Sequence, residues 1–498
     1  MSAITNSTRR SKAEAPQPAD PGAESCDWAG APLRSTLRLL AVPAIFAISL
    51  TVFKIHTNAL ILYGFAAIFG LLLLVQLRKS PEALLAVIII YMPLSRLYAA
   101  RLAPGLNGTN SLELLLIATW LISAFKNQRK LFSSHPFTRM ANIWLALTLI
   151  SVVTAMLSIG FQPFIWNYAQ ALRGFLDQFI IFFLFVNMIR DKNMARRLIV
   201  YMMFSATIIY LYGFHEWFGT RDLASIEKSR LLGPVNQPND FAAQIIYSLA
   251  PILAYGAYYF PRIKSLRLSP ILLIGLKVLL GAFSRGAYLA FAMEIGSLSF
   301  VKSKKFFIFV ILSLASIYFF IPSLVPNSMK ARVAQTYEDR APGTDIDKSA
   351  ESRIILWDAA IKMTVDSPIF GMGFDQFQRL SAKYTSEPIE ATDNQNMFLY
   401  AASNMGLPGL TIFLVLLFSL ALRSWKLYRK STIDIDRIIG LGGVTMVAGL
   451  IGVNMFGTHV IDTSVDGFFW VYLAVVAHLL PPAAKPTSPK SKHAPRRR

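Results

Sequence analysis

The feature that most constrains this chain is the alternation of long apolar segments with short basic loops. Roughly fourteen apolar stretches of about 20 residues, the length that crosses a bilayer, follow one another from Thr36 to Leu480. If each stretch crosses once, the clusters of Lys and Arg fall on one side with few exceptions. The sequence therefore predicts an all-α integral membrane protein.

The predicted spans have boundaries that are soft by a few residues, and several are short or interrupted, so we expect about 12–14 transmembrane helices. The segments are 36–53, 57–76, 82–99, 110–125, 141–159, 174–190, 197–215, 240–260, 267–283, 286–301, 305–322, 396–421, 438–456 and 465–481.

Composition and charge support a membrane protein and exclude a nucleic-acid binder. The 498 residues are 54% hydrophobic and 15% charged, whereas soluble domains average about 25% charged residues. The net charge of +21 is dispersed over short loops and both tails, as the positive-inside rule expects. Cys26 is the only cysteine, so an internal disulfide is impossible and a thiolate metal site is not expected.

The basic clusters orient the chain. With the N-terminus in the cytoplasm, the cytoplasmic loops carry Arg78 and Lys79; Lys126, Arg129 and Lys130; Arg190, Lys192, Arg196 and Arg197; Arg262, Lys264 and Arg267; Lys302, Lys304 and Lys305; and Arg423, Lys426, Arg429 and Lys430. The expected organisation is a disordered cytoplasmic tail (1–35), N-terminal transmembrane helices (36–322), one long outer loop (323–395), C-terminal transmembrane helices (396–481) and a basic cytoplasmic tail (482–498).

The outer face then receives every motif-like polar segment. Besides the long loop, these segments are 160–173, 216–240, the turn 283–287 and 457–466. Within the long loop, the apolar spacing predicts an amphipathic helix of about three turns that ends before Pro368. We therefore expect the chemistry to lie at the outer surface.

Two pairs of charges within or near the spans are predicted to be ion pairs. Lys277 and Glu294 lie at matching depths on the two arms of a helical hairpin, although a proton-relay glutamate in a transporter is an alternative. Arg173 and Asp177 are four residues apart, so they can meet on one helix face.

Three outer segments carry arginine or polar clusters beside helix starts. Arg230 precedes Asn239 and Asp240, which can cap the next span, and Arg285 lies in a tight turn between two spans. The third segment is 393–396, where the long loop returns to the membrane. Two guanidinium groups close together suit a diphosphate, because each offers rigid bidentate donors. Simple helix caps and an interfacial arginine anchor are the alternatives.

These segments resemble the O-antigen ligase and Wzy polymerase superfamily of bacterial envelope glycosyltransferases. The matching pieces are R-x-x-G-x-x-N-x-x-N at Arg230–Asn239, S-R-G-A at Ser284–Ala287, R-x-x-x-W followed by P-x-x-G-x-G within Arg353–Gly373, and N-x-x-L-x-x-x-x-x-x-G-L-x-G-L at Asn396–Leu410. The resemblance implies a GT-C-like membrane enzyme without cofactor or metal.

The resemblance also implies a reaction and a site. Such enzymes transfer or polymerise glycan from an undecaprenyl-diphosphate-linked donor onto a hydroxyl of a glycan or lipid acceptor, at the periplasmic face of the inner membrane. Other polysaccharide assembly proteins are possible partners. By position, Arg230 and Arg285 match arginines that hold the carrier diphosphate; Asn239, Arg173 and Arg353 complete the predicted substrate-binding set.

One departure from the family pattern concerns the catalytic base. Ligases of the family usually carry His-Asn at the loop exit, but here Gln395 precedes Asn396, and a glutamine cannot act as a base. Asp393, or His459 or Asp462 from the last outer loop, is expected to take this role, unless no base is needed. The predicted catalytic residues are Asp393, Gln395, Asn396 and His459.

The missing histidine favours a polymerase or an exopolysaccharide enzyme over a ligase acting on lipid A–core. Two other functional classes remain open from the sequence. One is a multi-span solute transporter, for which the sequence offers no inverted repeat or paired broken helices. The other is a non-catalytic partner in polysaccharide assembly or export.

Overall fold

A computed structural model describes residues 33–38, 40, 81–97, 108–126, 132–220, 226–320, 348–385 and 393–480. The regular structure of these residues is helical. The longer helices are α1 (Glu82–Tyr91), α2 (Gly108–Lys126), α3 (Pro136–Ile159), α4 (Phe161–Met188), α5 (Lys192–Thr220), α6 (Pro238–Tyr259), α7 (Ser269–Gly281), α8 (Arg285–Lys302), α9 (Lys304–Phe320), α10 (Lys348–Asp366), α11 (Met397–Lys430), α12 (Asp434–Asn454) and α13 (Thr463–Leu479).

The prediction of an all-α integral membrane protein is confirmed. Seven of the described helices, α2–α6, α11 and α12, are long and apolar enough to cross a membrane, and α1 and α13 are shorter apolar helices. Twelve predicted spans each correspond to a described helix. The predicted span 57–76, most of the span 36–53, most of the tail 1–35 and the whole tail 482–498 lie outside the described residues.

The predicted outer loop at 160–173 is wrong, because this segment is helical. Gly160, with φ at +91°, separates α3 from α4, and α4 then continues without a break to Met188. Pro163 lies in the first turn of α4, where a missing N–H removes no helical hydrogen bond. Arg173 is consequently held on a helix rather than on a flexible loop.

Buried ion pairs join three helix starts at one end of the bundle. The Arg196 guanidinium in α5 donates to both carboxylate oxygens of Asp436 in α12, at 2.7 and 2.9 Å. Arg197 donates to both oxygens of Glu82 in α1 at 2.7 Å, and the Tyr201 hydroxyl donates to the same carboxylate at 2.7 Å. We call this end the basic end, because the neighbouring helix ends carry the Lys and Arg clusters.

An aromatic cluster joins four helices in the core. The rings of Trp144 in α3 and Trp470 in α13 have centroids 5.9 Å apart, and Phe179 of α4 lies 5.9 and 5.5 Å from them. Phe413 of α11 lies 5.0 Å from Trp144. Such pairs contribute about 0.5–1.5 kcal/mol each beyond burial. They hold α3, α4, α11 and α13 as one unit.

A break in α11 accommodates the chain that follows α10. Gly406 has φ at +72°, and the Leu407 amide there donates to the Pro368 carbonyl at 2.8 Å. The Met372 amide donates to the Ser403 carbonyl at 2.7 Å, and a Cβ at Gly371 would overlap the α11 backbone. The P-x-x-G-x-G motif is therefore a close backbone contact that fixes the position of the residues after Gly373. The predicted helix before Pro368 is confirmed, but it is longer than three turns.

The predicted Lys277–Glu294 ion pair is wrong. The Lys277 ammonium lies over the Trp217 ring, 4.2 Å from its centroid. Both Glu294 carboxylate oxygens are buried and have no hydrogen-bond partner among the described residues. The close approach of Gly449 in α12 places Glu294 towards that helix, so the two side chains follow different neighbours.

Replacing Glu82 with Ala should destabilise the fold, because the buried Arg197 guanidinium would lose its carboxylate partner. We expect the free energy of unfolding to fall by about 3–5 kcal/mol. Thermal unfolding in detergent measures the change, with Asp358→Asn, which removes an exposed pair within α10, as the matched control. Equal melting temperatures for Glu82→Ala and the control would contradict this assignment.

Candidate active site

Five of the residues predicted for the site line one small cavity at the end of the bundle opposite the basic end. They are Arg230, which precedes α6, Asn239 in α6, Arg285 at the start of α8, Arg353 in α10 and His459 between α12 and α13. The cavity has a volume of about 90 Å³. We call it the arginine cavity. Segments far apart in the sequence thus bring three guanidinium groups together.

Arg230 is fixed by the turn between α7 and α8. Its Nε donates to the Ala282 carbonyl at 3.2 Å, and its Nη2 donates to the Asn239 side-chain oxygen at 3.0 Å. The adjacent Leu231 amide donates to the Gly281 carbonyl at 3.0 Å. The motif R-x-x-G-x-x-N-x-x-N therefore places its first arginine and last asparagine in contact.

The cap of α6 differs from the expectation. The side chain of Gln237, rather than that of Asn239 or Asp240, accepts the hydrogen bond of the Asp240 amide, at 2.7 Å. Gln237 precedes a proline at the first helical position, where its extended backbone suits a cap. The side chains of Asn239 and Asp240 are consequently directed to other partners.

Gln395 contacts Arg353 at the end of the long loop. The Arg353 Nε donates to the Gln395 side-chain oxygen at 3.0 Å. Gln395 has φ at +50°, and its amide donates to the Asp393 carboxylate at 3.0 Å, which stabilises this turn. Gln395 is thus a neighbour of the arginine cavity through Arg353.

Asn396 is the N-cap of α11. Its side-chain oxygen accepts from the amides of Phe398 and Leu399, at 3.0 and 3.2 Å. Its Nδ2 donates to the Met455 carbonyl at 3.2 Å. These contacts tie the start of α11 to the end of α12, and Asn396 is not among the described residues that line the two cavities of the site.

His459 is held by a carboxylate. Its Nδ1 lies 3.1 Å from the Asp240 Oδ1, and its amide donates to the Asn454 side-chain oxygen at 3.0 Å. The Arg96 guanidinium lies 3.4 Å from Asp240 and 2.7 Å from Asp462. A Cβ at Gly457 would overlap His459 Nε2, so the glycine leaves room for the imidazole. The sequence interpretation missed Arg96 because this arginine is isolated from every motif.

A larger cleft of about 750 Å³ adjoins the arginine cavity. The two spaces share Asn239, Phe456 and His459 as lining residues. Asp393, Gln395 and Arg173 line the larger cleft, together with the rings of Phe175, Phe374 and Tyr400. Arg173 donates to the Asn110 side chain at 2.9 Å, and no ion pair or hydrogen bond joins it to Asp177, contrary to the prediction. We call this space the outer cleft.

Asp375, which the sequence interpretation did not select, also lines the outer cleft. Its φ is +55°, and among the described residues its carboxylate makes no hydrogen bond. Burial, with a smaller contribution from the Asp393 carboxylate, raises the pKa of Asp375 to about 6. The signal that the sequence offers is its place two residues after Gly373, the end of the G-x-G contact with α11.

No group of three or more His, Cys, Asp or Glu side chains in the described part of the chain is arranged to hold a metal ion. The expectation of a metal-independent enzyme stays a prediction.

The fold defines a multi-span helical membrane protein with a polar site at one end. A model of the O-antigen ligase family matches residues 270–414, which contain Arg285, Arg353 and the loop exit. The match confirms the resemblance to the O-antigen ligase and Wzy polymerase superfamily, and it supports a glycosyl-transferring activity of the ligase or polymerase type. No curated protein matches the chain.

Proposed function

We propose that this protein transfers or polymerises glycan from an undecaprenyl-diphosphate-linked donor onto an acceptor hydroxyl, without a metal ion. The observation that carries the proposal is the arrangement of Arg230, Arg285 and Arg353 around one small cavity, beside an imidazole held by a carboxylate. The family match over 270–414 supports the class of reaction.

The arginine cavity suits the diphosphate of the donor. No carboxylate is among the described residues that line it, whereas three guanidinium groups are. Fork-shaped donors bind phosphate oxygens in pairs and stabilise the charge that develops as the diphosphate leaves. Arg230 is oriented by Asn239, and Arg353 by Gln395. We assign Gln395 and Asn239 to the positioning of these arginines.

The acceptor hydroxyl needs a proton acceptor, and His459 fits this role better than Asp393. An Asp240 carboxylate at Nδ1 holds the proton on that nitrogen, which leaves the lone pair on Nε2. His459 lines both the arginine cavity and the outer cleft. Asp393 lines only the cleft, and its carboxylate already accepts a hydrogen bond from the Gln395 amide. Arg96 joins Asp240 to Asp462 and fixes the carboxylate that holds the imidazole.

The reaction then proceeds in one displacement. The acceptor oxygen forms a bond to the anomeric carbon of the donor sugar while the bond from that carbon to the diphosphate oxygen breaks. The hydroxyl proton passes to His459 Nε2, and the electron pair leaves with the diphosphate. The arginines stabilise this anion, and the imidazolium later releases its proton to water.

The proposal places the site at the periplasmic face of the bacterial inner membrane, with both tails in the cytoplasm. The positive-inside rule supports this orientation, because the Lys and Arg clusters accompany the helix ends opposite the site. Polysaccharide assembly proteins in the same membrane are proposed partners.

Replacement of Arg230 or Arg285, the arginines proposed to clamp the diphosphate, should abolish transfer without unfolding the protein. Arg285→Lys keeps the charge but loses the paired donors, so we expect a fall in rate of roughly 10² to 10³. Glycan product formed from a lipid-linked donor by protein in nanodiscs measures the effect, and Arg262→Lys at the basic end is the matched control. Near-normal product from Arg230→Ala and Arg285→Ala at equal folded protein would reject the clamp.

Loss of His459 or of its Asp240 partner should slow the reaction if His459 is the proton acceptor. His459→Gln and Asp240→Asn should lower the rate by roughly 10² to 10⁴, and Gly457→Ala should lower it by displacing the imidazole. The competing variant is Asp393→Asn, measured in the same assay with thermal melting as the folding control. A larger loss from Asp393→Asn than from His459→Gln would assign the base to Asp393.

The orientation can be tested with reporters. Alkaline phosphatase fused after Lys383 should be active, because α10 and the segment that follows it are expected in the periplasm. A fusion after Lys302 should be inactive, whereas a green fluorescent protein at that position should fluoresce. The reverse pattern would contradict the orientation and with it the periplasmic site.

A further inference from the structure

The described residues that line the two adjoining spaces of the site differ in charge. Three guanidinium groups line the arginine cavity. The described residues that line the outer cleft include four carboxylates, those of Asp240, Asp375, Asp393 and Asp462, against the two guanidinium groups of Arg96 and Arg173. A substrate that spans both spaces therefore meets positive charge at one end and an excess of negative charge at the other.

The four carboxylates are not equivalent. Those of Asp240 and Asp462 both contact Arg96, whose single positive charge offsets part of theirs, and Asp240 also contacts His459. Among the described residues, Asp375 and Asp393 contact no such cation, and their proximity contributes to the raised pKa of Asp375. A pKa of about 6 still leaves Asp375 mostly ionised at neutral pH. Asp375 and Asp393 are thus the carboxylates of the cleft that lack a cation partner among the described residues.

The cleft is also large enough to hold a polar molecule of the size of a sugar unit. Its volume of about 750 Å³ falls within the range of ligand pockets, roughly 300–1,000 Å³. Phe374 and Tyr400 also line it beside Asp375 and Asp393, although most of each ring packs into the core. Ionised carboxylates accept hydrogen bonds from hydroxyl and ammonium groups but offer none to another anion. In a partly buried cleft their repulsion of phosphate or carboxylate groups is screened less than at an open surface.

We propose that the outer cleft binds the acceptor as a hydroxyl-rich glycan that is uncharged or carries amines, and that Asp375 and Asp393 exclude glycans with phosphate or carboxylate groups. This inference rests on the proposed function, because it takes the arginine cavity as the place of the donor diphosphate. Asp375 and Asp393 thereby become specificity-determining residues, whereas His459 acts on the hydroxyl itself.

A matched pair of probes tests the proposal without any transfer reaction. Trigalacturonate and its fully methyl-esterified form share the same rings and linkages and differ in charge. Saturation-transfer NMR titrations with the full chain in nanodiscs give both dissociation constants. We expect the wild-type protein to bind the ester at least about tenfold more tightly than the free acid, and added salt to reduce the difference.

The double variant Asp375→Asn/Asp393→Asn should reduce that preference to less than about threefold, because the amides keep the shape of the carboxylates and remove their charge. Asp358→Asn, in an exposed ion pair outside the lining of the cleft, is the matched control and should keep the wild-type preference. Equal or tighter binding of the free acid by the wild-type protein would overturn the proposal. Binding of neither probe, or a preference unchanged in the double variant, would also overturn it.

The binding experiment and the transfer assay can reject the acceptor specificity and the proposed function independently. If the arginine variants retain glycan transfer while the ester is still preferred, the diphosphate clamp fails and the acceptor specificity stands. If transfer depends on the arginines but the free acid binds as well as the ester, the function stands and the specificity fails.

Discussion

The Asp240 carboxylate is the contact on which the site depends. It lies in the first turn of α6, accepts from Arg96 after α1, and contacts the His459 imidazole between α12 and α13. A partly buried carboxylate is stable only when cations and hydrogen-bond donors surround it. The three segments are therefore held in one arrangement by the same charge. The proposed base and its support cannot be separated from the packing of these helices.

The remaining site contacts are of the same kind. In each, a polar side chain near one helix end contacts a residue of another segment. Asn239 orients Arg230, Gln395 orients Arg353, and Asn396 joins the start of α11 to the end of α12. Aromatic packing in the core and the buried ion pairs at the basic end hold the helices that carry these ends. Arg285 and Arg353 on helices, and Arg230 held against the turn after α7, thus form the proposed diphosphate clamp.

Gln395 occupies the position at which the resemblance leads us to expect a histidine in ligases. A glutamine side chain cannot accept a proton at neutral pH. In this chain the glutamine accepts a hydrogen bond from Arg353 instead, and an imidazole is supplied by His459 from another loop. The proposed chemistry therefore uses a histidine from a different segment of the chain, between α12 and α13. Binding of the donor and activation of the acceptor can therefore be tested as separate functions.

The sequence by itself determined the helical membrane class, the alternation of basic clusters and the arginine motifs, because these follow from local composition and short spacing. It did not determine the helical form of 160–173, where one glycine rather than a loop reverses the chain. Nor did it determine the Arg96–Asp240–His459 contacts, the separation of Lys277 from Glu294, or the place of Asp375 in the cleft. These features were decided by tertiary structure, since each joins residues from different helices, and side-chain direction across a helix interface depends on packing that no local pattern records.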